Sequence, residues 1–261
     1  MEVLRILAVG DVYGSTGLDF IKKRLWKIRD QMNIDLCVVN GENTALVGIT
    51  PEQAWDLFDA GADVVTLGNH SYKKKEIGDY LEENEHLIRP ANDSLLSPGR
   101  GVTYYPTNYG DVCVVNLLGR CDMPFASADN PFFCADKVVA EAKKRTKYIV
   151  CDFHAEASSE KLAMGYYLDG RVGAIWGTHT HVQTADERVL PKGTGYITDL
   201  GMTGAADSVI GTIPEKSIAY FKGEPFVRFE PSKSDPMLCG ALFELDANTG
   251  LCVGVERLRI R

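Results

Sequence analysis

Three apolar runs in the first seventy residues each end in a polar cluster, and each is followed by a stretch with helical spacing. Arg5 to Gly10 stops at Asp11, Leu36 to Val39 at Asn40-Gly41-Glu42-Asn43, and Ala62 to Leu67 at Gly68-Asn69-His70. Leu18, Ile21, Leu25, Ile28 and Met32 recur at helical intervals, and Thr16 and Asp19 have the spacing of a capping box. Thr50-Pro51-Glu52-Gln53 predicts the next helix start, with a capping threonine, a proline in the first turn and a glutamine three residues after the cap. Lys75 to Leu81 predicts a third helix. Such β-α-β-α-β-α alternation implies a mostly parallel sheet with helices on its faces. In open α/β sheets, ligands bind where the strands end.

The alternation breaks in the middle and then returns. Arg89-Pro90-Ala91-Asn92 and Ser97-Pro98-Gly99-Arg100 are loop chemistry. Val102 to Tyr105 and Val112 to Asn116 predict a strand pair across Asn108-Tyr109-Gly110-Asp111. Pro124 to Phe133 reads as a surface loop or partner-facing segment, and Asp136 to Lys144 as a helix. Tyr148 to Phe153 is another strand, ending at His154. A helix over Ser158 to Tyr166 precedes Val172 to Trp176, a short buried strand that runs into Gly177-Thr178-His179-Thr180-His181. Arg188 to Leu190 and Gly195 to Thr198 are two short strands. They lead to a glycine-rich loop, Asp199 to Gly204, expected to line the site. Pro214 to Phe221 predicts a helix. Leu238 to Leu245 and Cys252 to Ile260 form a terminal hairpin. The fold class is α/β, with central largely parallel or mixed β-sheets flanked by helices and a C-terminal β-hairpin. No linker or repeat divides the chain, so residues 1–261 read as a single domain, and 261 residues at 45% hydrophobic suit one sizeable core.

The net charge of −8 argues against stable binding of duplex nucleic acid along a basic face, but not against a small phosphorylated ligand held by metal ions. No apolar run is long enough to span a bilayer, and Met1-Glu2-Val3-Leu4-Arg5 leads straight into a strand without a secretory signal. The seven cysteines are scattered, with no C-x-x-C pair, which fits reduced thiols in a cytoplasmic protein.

The polar strand ends collect Asp11, Glu42, Asn43, Asn69, His70, His154, His179 and His181. Four of the five histidines fall in this set. The fifth, His86, reads as part of a solvated helix end. Each member has a bland alternative: Asp11 can cap the following helix, Asn69 can serve a turn, His70 can cap a helix, and His154 can be a satisfied core histidine. That alternative needs separate accidents at five strand ends, whereas a shared site needs one cause. Carboxylates, imidazoles and carboxamides together suit Mn, Fe or Zn rather than Ca or Mg. The donors are too many for one four-coordinate zinc, and no cysteine belongs to the set, which disfavours a structural zinc. Two metals sharing Glu42 is the economical arrangement.

These motifs in this order resemble those of the calcineurin-like metallophosphoesterases. More narrowly, Asn40-Gly41-Glu42-Asn43-Thr44-Ala45, Arg89-Pro90-Ala91-Asn92, Asp152-Phe153-His154-Ala155-Glu156-Ala157 and Gly201-Met202-Thr203-Gly204 resemble the YmdB-like family of 2′,3′-cyclic-nucleotide phosphodiesterases. The resemblance covers essentially the whole chain. Two departures from the broad superfamily, Tyr13 where a histidine is usual and Glu42 where an aspartate usually bridges, are shared by the narrower family. The resemblance implies a calcineurin-like fold and two transition-metal ions, Fe or Mn, with Zn as a further candidate. One metal would be held by Asp11, Glu42, Asn43 and His181, and the other by Glu42, Asn69, His154 and His179. His70 would stay free of metal as a general acid. A hydroxide between the metals would attack phosphorus, and cleavage would fall on the 2′ side to leave a 3′-nucleotide. The resemblance also suggests a homo-oligomer.

Two other readings use the same residues: a phosphomonoesterase or protein phosphatase on the same metal core, and a nucleotide- or RNA-binding regulator with little turnover. The intact ligand set speaks against the latter, because a binding module needs neither a bridging glutamate nor a free His70.

Overall fold

The computed structural model describes residues 2–94, 96–123 and 128–261. The chain opens with β1 (Val3–Val9), β2 (Asp11–Val12), α1 (Gly14–Met32), β3 (Leu36–Asn40) and α2 (Pro51–Asp59). Next come β4 (Val64–Thr66), α3 (Ile77–Glu83), β5 (Leu87–Ile88), β6 (Val102–Thr107), β7 (Gly110–Leu118) and α4 (Pro131–Ala142). Then follow β8 (Tyr148–His154), α5 (Ser158–Leu168), β9 (Ala174–Thr178), β10 (Arg188–Val189) and β11 (Gly195–Ile197). The chain closes with β12 (Met202–Ala205), α6 (Pro214–Phe221), β13 (Pro236–Asp246) and β14 (Cys252–Ile260).

Alternate residues of β1 enter two different cores, as the two-residue period of a strand requires. Leu7 and Val9 pack with Leu18, Ile21, Leu25 and Ile28 of α1 and with Leu57 of α2. Leu4, Ile6 and Ala8 pack instead with Val114 of β7, Val150 of β8 and Trp176 of β9. A third core places Cys151 and Phe153 of β8 against Val139 of α4 and Met164 of α5. The result is two sheets face to face with helices on both outer sides. Strands covered on both faces read as continuous apolar runs, which is the pattern seen in the sequence.

The first sheet has the order β2-β12-β13-β1-β3-β4-β5, with β14 added to β13. Its β1, β3, β4 and β5 are parallel, and β13 runs antiparallel to β1. The second sheet has the order β10-β11-β9-β8-β7-β6, with β7, β8, β9 and β11 parallel. The parallel strands of both sheets therefore present their C-terminal ends as groups. Glu42, Asn69, His154 and His179 follow or close four of them.

The expected helices, hairpins and long strands are present within a few residues, and Thr50 makes the full capping box with Gln53. Several local expectations fail. The cap of α1 is Tyr13 with no side-chain bond, and Thr16 donates instead to the carbonyl of Ser232. Pro131 to Phe133 are not loop: they open α4 behind the capping side chain of Asn130. Residues 124–127 of the expected loop lie outside the described residues. His86 is not on a solvated helix end. It directly precedes β5, half-buried, with its Nδ1 3.1 Å from Thr103 Oγ1 and its ring edge-on to Tyr105. Met202 to Ala205 is a strand rather than a loop. Among the described residues, no helix is long and apolar enough to cross a membrane.

Candidate metal centre

The eight expected site residues lie together where strand ends of the two sheets meet. Asp11 forms β2, a two-residue strand beside β12, and its backbone N–H donates to the Gly201 carbonyl at 3.1 Å. Its carboxylate is fully buried: Oδ2 accepts from the backbone of His179 at 3.2 Å, while Oδ1 has no hydrogen-bond partner among the described residues. That oxygen lies 3.9 Å from His181 Nε2. Burial pushes the Asp11 carboxyl up to about 6, against the pull of the His181 and His154 imidazoles.

Glu42, also fully buried, is the hub. Its Oε1 lies 3.1 Å from both His154 Nε2 and Asn43 Nδ2, and its Oε2 accepts from the His70 backbone at 3.0 Å. Burial raises the Glu42 carboxyl, but His154 and His70 together outweigh it and hold the group at about 2. Gly68 makes room for this contact, since a Cβ there would meet His154 Cδ2 at 2.3 Å and Glu42 Oε2 at 2.4 Å.

Neighbouring groups fix the tautomers. Thr178 Oγ1 donates to Asp152 Oδ1 at 2.7 Å, so it accepts from His154 Nδ1–H at 2.9 Å and leaves Nε2 as a lone pair. Glu156 Oε2 lies 3.2 Å from His179 Nε2, which leaves His179 Nδ1 as a lone pair. Those two lone pairs face each other at 3.1 Å. Asn69 Oδ1 lies 3.0 Å from His154 Nε2, and Glu42 Oε1 is beside it. Four acceptors crowd one point. A proton on His154 relieves the crowding: although burial opposes it, the Glu42 carboxylate lifts this imidazole to about 9. A cation relieves it as well. One atom each from Glu42, His154 and His179 lie within 4.8 Å of one another. Burial, reinforced by His154, keeps His179 neutral by lowering it to about 3.

The other half of the centre is built alike. His181 Nδ1 donates to the carbonyl of Ile210 at 3.1 Å, so its Nε2 lone pair faces Asn43 at 3.1 Å and the orphaned Asp11 oxygen. Asn43 takes part through its side-chain amide, whose oxygen and nitrogen exchange places on a half-turn. His179 and His181 both hold positive φ, at 104° and 64°, a conformation that non-glycine residues occupy mainly where surrounding structure enforces it. The donors therefore fit a pair of cations. Glu42, Asn69, His154 and His179 gather around one point, and Asp11, Asn43 and His181 gather around another with Glu42 nearby. His70 differs from the rest. Its Nδ1 is buried without a hydrogen-bond partner among the described residues, and its Nε2 sits 3.4 Å from Asn69 Nδ2. Burial lowers its pKa, opposed by Glu42.

Sequence reasoning missed the groups that hold these donors. Asp152 accepts from Thr66 at 2.5 Å, from Asn40 at 3.1 Å and from Thr178, and so ties β3 and β4 of one sheet to β8 and β9 of the other. Lys161 of α5 and Asp199 form a buried ion pair at 2.6 Å, and Asp199 also accepts from the backbone of Thr180, between the two loop histidines. Asn40, Thr66, Asp152 and Thr178 are polar residues in apolar strand runs, which is a legible signal. Lys161 carries none. The glycine-rich run acts through its backbone: Gly201 holds Asp11, while the buried Thr203 hydroxyl faces the Cys239 carbonyl rather than the donors.

A YmdB-like protein family model matches residues 7–258. The chain is 46% identical over 258 residues to a 2′,3′-cyclic-nucleotide 2′-phosphodiesterase of Bacillus subtilis, covering 98% of this chain and 97% of that one. Among solved structures, it resembles a novel phosphatase from Mycoplasma pneumoniae with TM-score 0.92 and 36% identity, covering 100% of this chain and 94% of that one. It likewise resembles a hypothetical protein from Thermus thermophilus with TM-score 0.89 and 36% identity, covering 98% of each chain. On the length and identity of these matches, the chain belongs to the YmdB-like family.

Proposed function

We propose that the chain is a metal-dependent phosphodiesterase that opens 2′,3′-cyclic nucleotides at the 2′ bond and releases the 3′-nucleotide. The observation that carries the reading is the meeting of four acceptors at His154 Nε2, beside an orphaned Asp11 oxygen. That charge pattern suits a pair of transition-metal ions, Fe or Mn by donor chemistry and Zn by the same measure. When bound, the two ions activate water and neutralise charge on the phosphoryl oxygens. Glu42 serves both. Thr178, Glu156 and the Ile210 carbonyl hold the three ligand imidazoles in the required tautomers. His70, next to Asn69, gives a proton to the departing sugar oxygen. The Bacillus subtilis relative, by its name, acts on this class of substrate. Residues 1–261 act as one domain, since the core between the sheets takes side chains from both.

The test is the product formed from adenosine 2′,3′-cyclic phosphate by metal-loaded protein. The reading expects 3′-AMP. Release of 2′-AMP would overturn the regiochemistry, and hydrolysis of simple phosphomonoesters alone would replace the phosphodiesterase with a phosphatase.

A further inference from the structure

A cavity of about 520 Å³ opens directly beside His181, lined by Val182, Met202, Ile210, Met237, Arg257 and Arg259 among others. Among the described residues, the two arginines are its only charged lining residues, in a chain of net charge −8. Arg257 is only loosely paired, with its Nε 3.5 Å from Glu187. Arg259 Nε rests 2.8 Å from the Met237 sulfur, a weak acceptor, and its two terminal amino groups have no partner among the described residues.

The register sets the distance between these cations and the metal centre. Arg259 on β14 is opposite Cys239 on β13, and the Cys239 carbonyl in turn accepts from Gly10, the residue before Asp11. Two strand spacings, about 10 Å in all, thus separate the two backbones. A nucleoside with a phosphate at each end spans that gap once the long arginine side chains reach inward.

The walls suit a nucleoside. Met202, Met237 and Cys239 form a buried floor of sulfur and carbon. Val182, 59% exposed, and Ile210, 52% exposed, stand at its rim. Ile210 holds φ 45° in the tight turn Val209–Thr212, and its own carbonyl orients His181. A β-branched residue in the left-handed region is an outlier, and such strain is retained where the position is used.

We propose that this cavity receives a second phosphate of the substrate, so that the preferred ligand carries a 5′-phosphate or 5′-phosphodiester besides its 2′,3′-cyclic phosphodiester. The inference rests on the reading of the metal centre given above. The second phosphate can belong to a free 5′-nucleotide or to the last internucleotide link of an RNA 3′ end.

The test uses the metal-loaded full chain. Binding of 3′-AMP is compared with binding of adenosine 3′,5′-bisphosphate by calorimetry. Turnover is compared for adenosine 2′,3′-cyclic phosphate, its 5′-phosphorylated form and the dinucleotide ApA ending in a 2′,3′-cyclic phosphate. A charge-assisted contact corresponds to about tenfold or more in affinity. Preferences of at least that order are expected in the unaltered protein, both for the bisphosphate and in kcat/KM for the substrates that carry a second phosphate. Arg257→Ala with Arg259→Ala should bring these ratios to about one, and Arg259→Lys alone should keep a part. Preference for the dinucleotide assigns the phosphate to an RNA end, and preference for the 5′-monophosphate alone assigns it to a free nucleotide. No preference in the unaltered protein, or a preference that survives the double substitution, overturns the subsite. If no cyclic nucleotide is turned over while the bisphosphate preference and its arginine dependence persist, the subsite stands and the phosphodiesterase reading fails.

Discussion

At Asn69-His70 the chain sets a proposed ligand and a proposed general acid side by side. If His70 were a ligand, His70→Ala would lower metal content and slow every substrate alike. As a general acid, it should leave metal in place and do damage that depends on the leaving group. A sugar alkoxide needs a proton as it departs, whereas a nitrophenolate does not. General acid catalysis is typically worth about 10²–10⁴-fold, so a loss of that order is expected on a 2′,3′-cyclic nucleotide and a clearly smaller one on a nitrophenyl phosphodiester. Equal losses with metal retained would instead place His70 on the phosphoryl oxygens. The pH profile adds a second reading. Burial lowers the His70 pKa below its usual 6.5, so the protonated acid is lost as pH rises through that lowered value, and this limb should vanish in His70→Ala. At this scale the sequence was informative. The donors stood at the ends of five apolar runs, and separate cap or turn roles would have needed five coincidences where a shared site needs one cause. The sequence could not carry the positive φ of His179 and His181, because nothing in a histidine announces a left-handed backbone.

The turn from His179 to His181, at the end of β9, supplies a histidine to each proposed half-site, and the Lys161–Asp199 pair fastens it to α5. Removing one partner of a buried pair leaves the other as an uncompensated charge, at a cost of about 3–5 kcal/mol. Lys161→Ala should therefore lower stability by that order in denaturant unfolding and loosen metal retention, although Lys161 touches no donor. A stability change under about 1 kcal/mol would show that the pair is not what fixes the loop. Long elements were legible because their periods repeat: α1 and the terminal hairpin follow their apolar spacing. β2 and β5, at two residues each, are too short to show a period, and their pairing partners supply what their own residues do not. The start of α4 was misread because Pro131-Phe132-Phe133 looks like loop composition, while Asn130 and a first-turn proline make a helix start.

On the scale of the molecule, the centre lies at the seam of two sheets, with Asp152 joining them and a buried cluster of acids and imidazoles above. Without metal, the proton on His154 balances that cluster. Its folded pKa of about 9 lies above the unfolded 6.5, so its contribution is present below 6.5 and is lost as pH rises through about 9. Metal-free protein should therefore melt at lower temperature above that pH, and metal should abolish the step. A melting temperature that stays flat through this interval in metal-free protein would contradict the charge balance described here. The sequence predicted which strand ends would meet, because parallel strands gather their C-terminal ends. Two facing sheets, with β13 running against β1 and donors drawn from both, come from long-range pairing that local pattern does not encode.

In the proposed centre these donors hold two ions, with Glu42 shared between them. Elemental analysis of fully active protein, with Glu42→Ala and Asn43→Ala measured beside it, tests this arrangement. The expected result is two ions per chain, with Glu42→Ala losing more metal than Asn43→Ala. A single tightly bound ion in fully active protein, or a Glu42→Ala protein that keeps both ions and its turnover, would contradict it.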